Sequence, residues 1–226
     1  QKNKYYYLKG IKNGMPICLG YLAVSFTLGI TARNAGMTAW QAMLTSLACN
    51  ASAGQYAGFT VIAAGGTYFE MILMELVANA RYLLMSCSLS QKFSSETGLL
   101  HRMLVGYDVT DEIFGVAVSE PGKLNPFYNY GMMTVAIPGW SLGTFFGVIM
   151  GNILPANIVS ALSVGLYGMF LAIIIPPARK NKIIAALVTI SMVSSYIFSR
   201  LPVISNISSG IRTIILTVAI AGIAAV

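Results

Sequence analysis

The feature that most constrains this chain is its alternation of long apolar runs with short polar breaks. Runs at about residues 14–31, 39–64, 68–90, 127–150, 157–175 and 183–199 each reach the length a helix needs to cross a bilayer, about 17–25 residues, and a last apolar stretch covers 211–226. Only 9% of the 226 residues are charged. Soluble domains carry about 25%, because water must be met over the whole exterior. The expected fold is therefore all-α: a polytopic transmembrane helical bundle of about seven to eight segments, forming one domain over 1–226, with one or more helices broken.

The charges present are clustered. Lys2, Lys4, Lys9 and Lys12 precede the first run, and Arg179, Lys180 and Lys182 precede a later one. That is the positive-inside pattern, and it predicts a multi-pass protein of the cell inner membrane with a cytoplasmic N-terminus. Tyr5, Tyr6 and Tyr7 suit the headgroup belt. No small-residue cleavage site follows the first run before the second, so an uncleaved first helix is expected. The net charge of +7 does not point to nucleic acid, which would need a continuous basic face interleaved with aromatics. Cys18, Cys49 and Cys87 lie in apolar stretches without metal or redox spacing and read as packing residues. His101, the one histidine, sits in a polar segment and reads as solvated.

Residues 103–119 are ambiguous. If both basic groups are cytoplasmic, an even number of crossings separates them. Only five clear runs lie between, so 103–119 is the obvious sixth crossing; a re-entrant second run is the alternative. A loose internal echo links Pro16, Gly20, Phe26 and Gly29 to Pro138, Gly143, Phe146 and Gly151. It fits a transporter repeat, or small-residue packing recurring by chance.

The 68–90 run carries the most chemistry. Each of its Leu, Ile, Phe and Val residues favours insertion by roughly 0.3–0.6 kcal/mol, whereas Arg81 costs about 2.5–3.5 and Glu75 and Asn79 add more. The sum is near zero, so this helix is expected to face the bundle interior with its polar groups paired. Glu75, Asn79 and Tyr82 fall at i, i+4 and i+7 on one face. Arg81 points elsewhere, and Asp108, Asp111 and Glu112 are the nearest source of a partner. These five ionisable residues, Glu75, Arg81, Asp108, Asp111 and Glu112, read either as a register-fixing ion pair or as a proton-coupling site. Three acids within five residues cannot all ionise cheaply if the segment crosses, which makes a shared proton plausible.

The second candidate is the polar interruption at 50–56. Asn50, Ser52, Gln55 and Tyr56 beside Gly54 suggest an unwound helix whose backbone groups could hold a zwitterion, with Asn79 nearby. The alternative is close helix packing, with Gln55 bonding across the interface.

These same segments carry a resemblance. Gly36-Met37-Thr38-Ala39-Trp40-Gln41-Ala42, Ser52-Ala53-Gly54-Gln55-Tyr56, Asn79-Ala80-Arg81-Tyr82-Leu83-Leu84 and Thr110-Asp111-Glu112-Ile113-Phe114 occur in order, and together resemble the AzlC family over roughly 14–190. The resemblance implies the large subunit of a branched-chain amino acid exporter, driven by an ion gradient and paired with a small membrane subunit of the AzlD type. Some members also export methionine. The family often has Phe where Tyr56 stands.

Two other functions compete. Asp108-Val-Thr-Asp111-Glu112 faintly resembles the Mg²⁺-binding motifs of lipid diphosphate enzymes. Such enzymes need a second acidic cluster, and Glu70, Glu75, Glu96 and Glu120 are dispersed. With no nucleophile set, metal spacing or phosphate-binding loop, the expectation is a carrier without cofactor or metal. A scaffold subunit without transport of its own is the other rival. Leucine, isoleucine, valine and methionine are not told apart, since one methylene is worth only about 1–3 kcal/mol in a pocket.

Overall fold

The computed structural model describes residues 2–151, 178–200 and 209–224, with isolated positions between 153 and 175. All regular structure among them is helical: α1 (Lys2–Asn34), α2 (Ala39–Cys49), α3 (Ser52–Ala63), α4 (Tyr68–Lys92), α5 (Leu99–Gly106), α6 (Asp111–Ser119), α7 (Pro126–Met150), α8 (Lys182–Arg200) and α9 (Ser209–Ala224). The span expected at 157–175 lies largely outside the described residues. Among the described residues, α1, α4 and α7 are long and apolar enough to cross a bilayer.

The spine is α1 packed along α7. A Cβ on Gly10 would lie 3.0 Å from Gly131 Cα; one on Gly139 would meet Cys18 Sγ at 2.8 Å; one on Gly29 would meet Gly147 Cα at 2.7 Å. Contacts climb both helices together, so the pair is parallel. Tyr7 OH lies 3.0 Å from Thr134 Oγ1 at one end, and Arg33 Nη1 donates to Val148 O at 2.6 Å at the other. Gly139, Gly143, Gly147 and Gly151 recur every fourth residue, which puts them on one stripe and lets the backbones touch. The internal echo falls on these two neighbours; Gly29, Gly143 and Gly151 of it lie in the seam, whereas Gly20 does not.

Between these helices the chain makes two half-depth hairpins. After α1, Thr38 opens α2 with a capping box to Gln41. Its start packs on the upper part of α7, where the Trp40 and Phe145 rings lie 5.1 Å apart. It descends past Thr144, which receives a 2.6 Å bond from Ser46. It stops at Asn50, whose φ of 43° is the left-handed turn-residue conformation. α3 then returns upward beside α4: Gly54 packs on Glu75 and Asn79, and Gly58 on Glu75 and Met71.

α4 crosses downward, and Leu124 N bonds Lys92 O at its lower end. α5 starts low, where His101 Nδ1 lies 2.7 Å from Tyr130 OH, and rises to a break at 107–110. α6 descends from Asp111 to the level of Lys92, whose ammonium donates to Val118 O and Glu120 O at 2.7 and 2.5 Å. At the same level Lys9 pairs with Glu120 at 2.5 Å. The order long helix, then hairpin from the far face, is thus run twice in opposite directions: α1–α3, then α4–α6.

Three expectations change. Residues 103–119 do not cross, because the helix breaks at half depth and turns back; the 39–64 run does the same. Because two crossings are removed together, the parity between the N-terminal and 179–182 basic groups is unaltered. His101 is not a solvated loop residue but part of α5, bonded to Tyr130. Finally, among the described residues α4 lies at an edge rather than in the interior. Leu76, Leu83 and Leu84 are exposed, its polar face meets α3 and α6, and α9 also touches it. An amphipathic membrane helix resolves the near-zero insertion sum in this way, apolar side outward and charges inward.

Candidate functional site

The two hairpin tips meet at mid-depth. Asn50 Nδ2 donates to Asp108 Oδ1, and Tyr107 OH donates to Leu47 O. Asp108 is 1% exposed, and its Oδ2 has no partner. Among the described residues Asp108 forms no ion pair.

Beside this contact lies a cavity lined by Tyr21, Asn50, Ser52, Tyr82, Thr110, Asp111, Glu112 and Trp140. It offers about 10 Å³ to the centre of a water-sized sphere, room for roughly one water molecule. Each wall has a local cause. Tyr21 of α1 donates to Thr110 Oγ1 at 2.6 Å and to Glu112 Oε2 at 2.7 Å. Thr110 caps α6 through Ile113 N. Asp111 and Glu112 then stand in the first turn of α6, where acids complement the positive helix end. Ser52 opens α3, whose preceding residue Ala51 supplies no side-chain cap, so the first N–H groups of α3 have no such acceptor. Trp140 packs edge-on against Tyr21, centroids 5.1 Å apart.

Arg81 finds its partner as the charge argument required. Nη1 lies 2.8 Å from Asp111 Oδ2, with side chains 36% and 17% exposed. The guanidinium also sits over the Tyr82 ring, 5.2 Å from its centroid. Glu75 and Asn79 share a face as their spacing implied, Asn79 Nδ2 donating to Glu75 Oε2 at 2.7 Å. They pack under Gly54 and are not part of the cavity wall. The interior therefore holds Glu75, Asp108, Asp111 and Glu112 against the one cation Arg81, among the described residues.

Of the residues expected to contact a solute, Asn50 and Ser52 line the cavity. Gly54 serves as the close approach to Glu75 and Asn79. Gln55 does not face the cavity. It is 1% exposed and ties three helices together, donating to Ser46 Oγ at 2.6 Å and Thr144 Oγ1 at 3.2 Å and accepting from Trp140 Nε1 at 2.8 Å. Tyr56, one residue further round α3, points outward and is 43% exposed. It is not part of the site. Tyr21, Tyr82, Thr110 and Trp140 complete the wall. Trp140 and Tyr21 gave one sequence signal, a hydrogen-bonding tip inside an apolar run, where such a group needs a partner.

Among the described residues, three bilayer-length helices and two opposed hairpins with a polar, acid-rich centre define an all-helical membrane protein built around a buried polar site. The chain belongs to the AzlC protein family, which matches residues 16–154, from the middle of α1 through the end of α7. Among similar proteins, an uncharacterized membrane protein of Archaeoglobus fulgidus is 29% identical over 180 residues, covering 79% of this chain and 78% of its own length. Inner membrane protein YgaZ of Escherichia coli K12 is 25% identical over 150 residues, 65% of this chain and 61% of that protein. An uncharacterized membrane protein of Helicobacter pylori is 24% identical over 153 residues, 65% of this chain and 66% of its own length. No solved structure matches.

Proposed function

We propose that this chain carries neutral aliphatic amino acids outward across the inner membrane, as a secondary transporter acting with a small membrane subunit of the AzlD type and with its N-terminus in the cytoplasm. The observation that carries this reading is the cavity at the hairpin tips. A zwitterionic amino acid needs an anionic surface for its ammonium, N–H donors for its carboxylate and an apolar surface for its side chain. Asp111 and Glu112 supply the first, the uncapped start of α3 the second, and Tyr21, Tyr82 and Trp140 the third. That the E. coli relative is named an inner membrane protein supports this location. Asn50 and Ser52 serve as solute contacts in this reading, whereas Gln55, Gly54 and Asn79 hold the wall in place. The cavity as it stands is smaller than an amino acid, so a solute enters only as the tips separate.

The test is efflux from cells loaded with a leucine- or valine-containing dipeptide. Cells carrying this chain with its small subunit are expected to release the amino acid faster than cells carrying the chain alone or neither. Equal efflux in all three overturns the proposal and leaves a scaffold role.

A further inference from the structure

We propose that Asp108 is the proton-binding group that controls contact between the two hairpins: the tips close on a neutral Asp108 and separate when it ionises. The assignment deepens the transport reading by naming the coupling site, and it can be tested apart from transport.

Asp108 lies at the turning point of the lower hairpin, fully enclosed, with one oxygen bonded to Asn50 of the upper hairpin and the other with no partner. Among the described residues, the groups around it offer no compensating charge. The upper tip presents Asn50 and, beside it, Cys49, whose Sγ lies 3.9 Å from Glu75 Oε2 of α4. α1 presents Tyr21, already committed to Thr110 and Glu112. α5 presents Tyr107, which donates to Leu47 O. α6 presents Glu112, a second acid, and Asp111, which holds the guanidinium of Arg81 on α4; Tyr82 of α4 lies beside that pair.

An ionised carboxylate enclosed without a cation is strongly disfavoured; a carboxylic acid with one hydrogen bond costs far less. The atom with no partner in the closed arrangement is a carboxyl oxygen, where the proton resides. When the tips part, water reaches Asp108 and the O–H bond breaks, releasing the proton to water and leaving the electron pair on the carboxylate. Closure reverses the step. Because the upper hairpin enters from one face and the lower from the other, opening either tip presents the same carboxyl to a different side. Alternating access needs this property of a coupling site.

Cys49, next to the contact, is a native reporter. In protein with Cys18→Ala and Cys87→Ala, the rate of Cys49 labelling by a small maleimide is measured against pH with Asp108 and with Asp108→Asn. Taking the ratio of the two rates at each pH cancels the thiol's own titration. The ratio is expected to rise with pH by up to about tenfold per unit, the slope of one linked proton. The Asp108→Asn protein should label slowly at all pH values. Asn50→Gly, which keeps the left-handed backbone and removes the amide, should label fast at all pH values, and Asp108→Glu should retain the pH response.

A flat ratio overturns the proposal, and so does fast labelling of Asp108→Asn. Should Asp108→Asn be lost from the membrane, an unaltered pH response in Asn50→Gly overturns it instead. In proteoliposomes, Asp108→Asn, with its tips held closed, should lose both leucine exchange and stimulation by a pH gradient, whereas Asp108→Glu should keep both. An absence of leucine movement in the unsubstituted protein refutes the transport reading and leaves the labelling result to decide this one.

Discussion

Replacing Arg81 by Met should leave the Asp111 carboxylate inside the helix bundle without its cation. For a fully buried pair, removing one partner costs about 3–5 kcal/mol. Arg81 is about one-third exposed, so the expected loss is smaller, about 2–3 kcal/mol. In a chain of 226 residues this corresponds to a melting point lower by about 4–12 °C. Asp111→Leu alone should cost a similar amount by stranding the guanidinium, whose Nε is already buried without a partner. The double variant, Arg81→Met with Asp111→Leu, should recover to within about 1 kcal/mol of the starting protein, because matched apolar side chains replace a buried pair at little cost. The assay is thermal unfolding of purified protein in lipid or detergent, with amino acid efflux measured on the same four proteins. A double variant no more stable than either single one refutes the reasoning. Efflux then separates two roles: a stable but inactive double variant means the pair serves the pathway, and a stable, active one means it only fixes helix register.

Gln55→Leu should strand the Trp140 indole N–H, since Ser46 and Thr144 keep each other, at about 1–3 kcal/mol, so a lower yield of folded protein by size exclusion should precede any change in transport rate. Gly147→Val should force α1 and α7 apart, since the new Cβ meets the Phe26 backbone and Gly29 Cα at 2.9 Å; about 1–3 kcal/mol of overpacking is expected, seen as a lower melting temperature. Gly20→Ala, with nothing within 4 Å of its Cβ, should be neutral or slightly stabilising in the same measurement. Asn50→Val should destabilise by more than Asn50→Gly, because it loses the Asp108 bond and also places a β-branched residue at a positive φ.

What the sequence made legible was whatever carried a steep energetic penalty. Arg81 in an apolar run demands a carboxylate, and Asp111 supplies it; Glu75 and Asn79 at helical spacing share a face because helix geometry allows nothing else. The break at Asn50 was visible as polarity beside small residues. Its consequence, a re-entrant second run, stood as one of two open readings. The 39–64 run is long enough to cross, and whether a chain continues or turns back at half depth depends on the hairpin that meets it from the opposite side, nearly 60 residues further on. For the same reason 103–119 read as a crossing. Tyr56 was grouped with Gln55 by sequence proximity, although adjacent residues on a helix point about 100° apart, and only one of the two faces the core. Tyr21 and Trp140 enter the cavity from the apolar runs of α1 and α7. Their hydroxyl and indole N–H are the sole clue.

The glycine seam has a consequence for biogenesis. Gly10 must wait for Gly131, 121 positions later, and at about 5–20 residues per second that is a delay of roughly 6–24 s. Until α7 emerges, the small-residue stripe of α1 faces lipid or a translocation partner, and both hairpins are inserted before their platform is complete. Docking of α7 is therefore the step that turns a string of inserted segments into a finished protein. A chain truncated ahead of Pro126 should reach the membrane and be cleared by quality control.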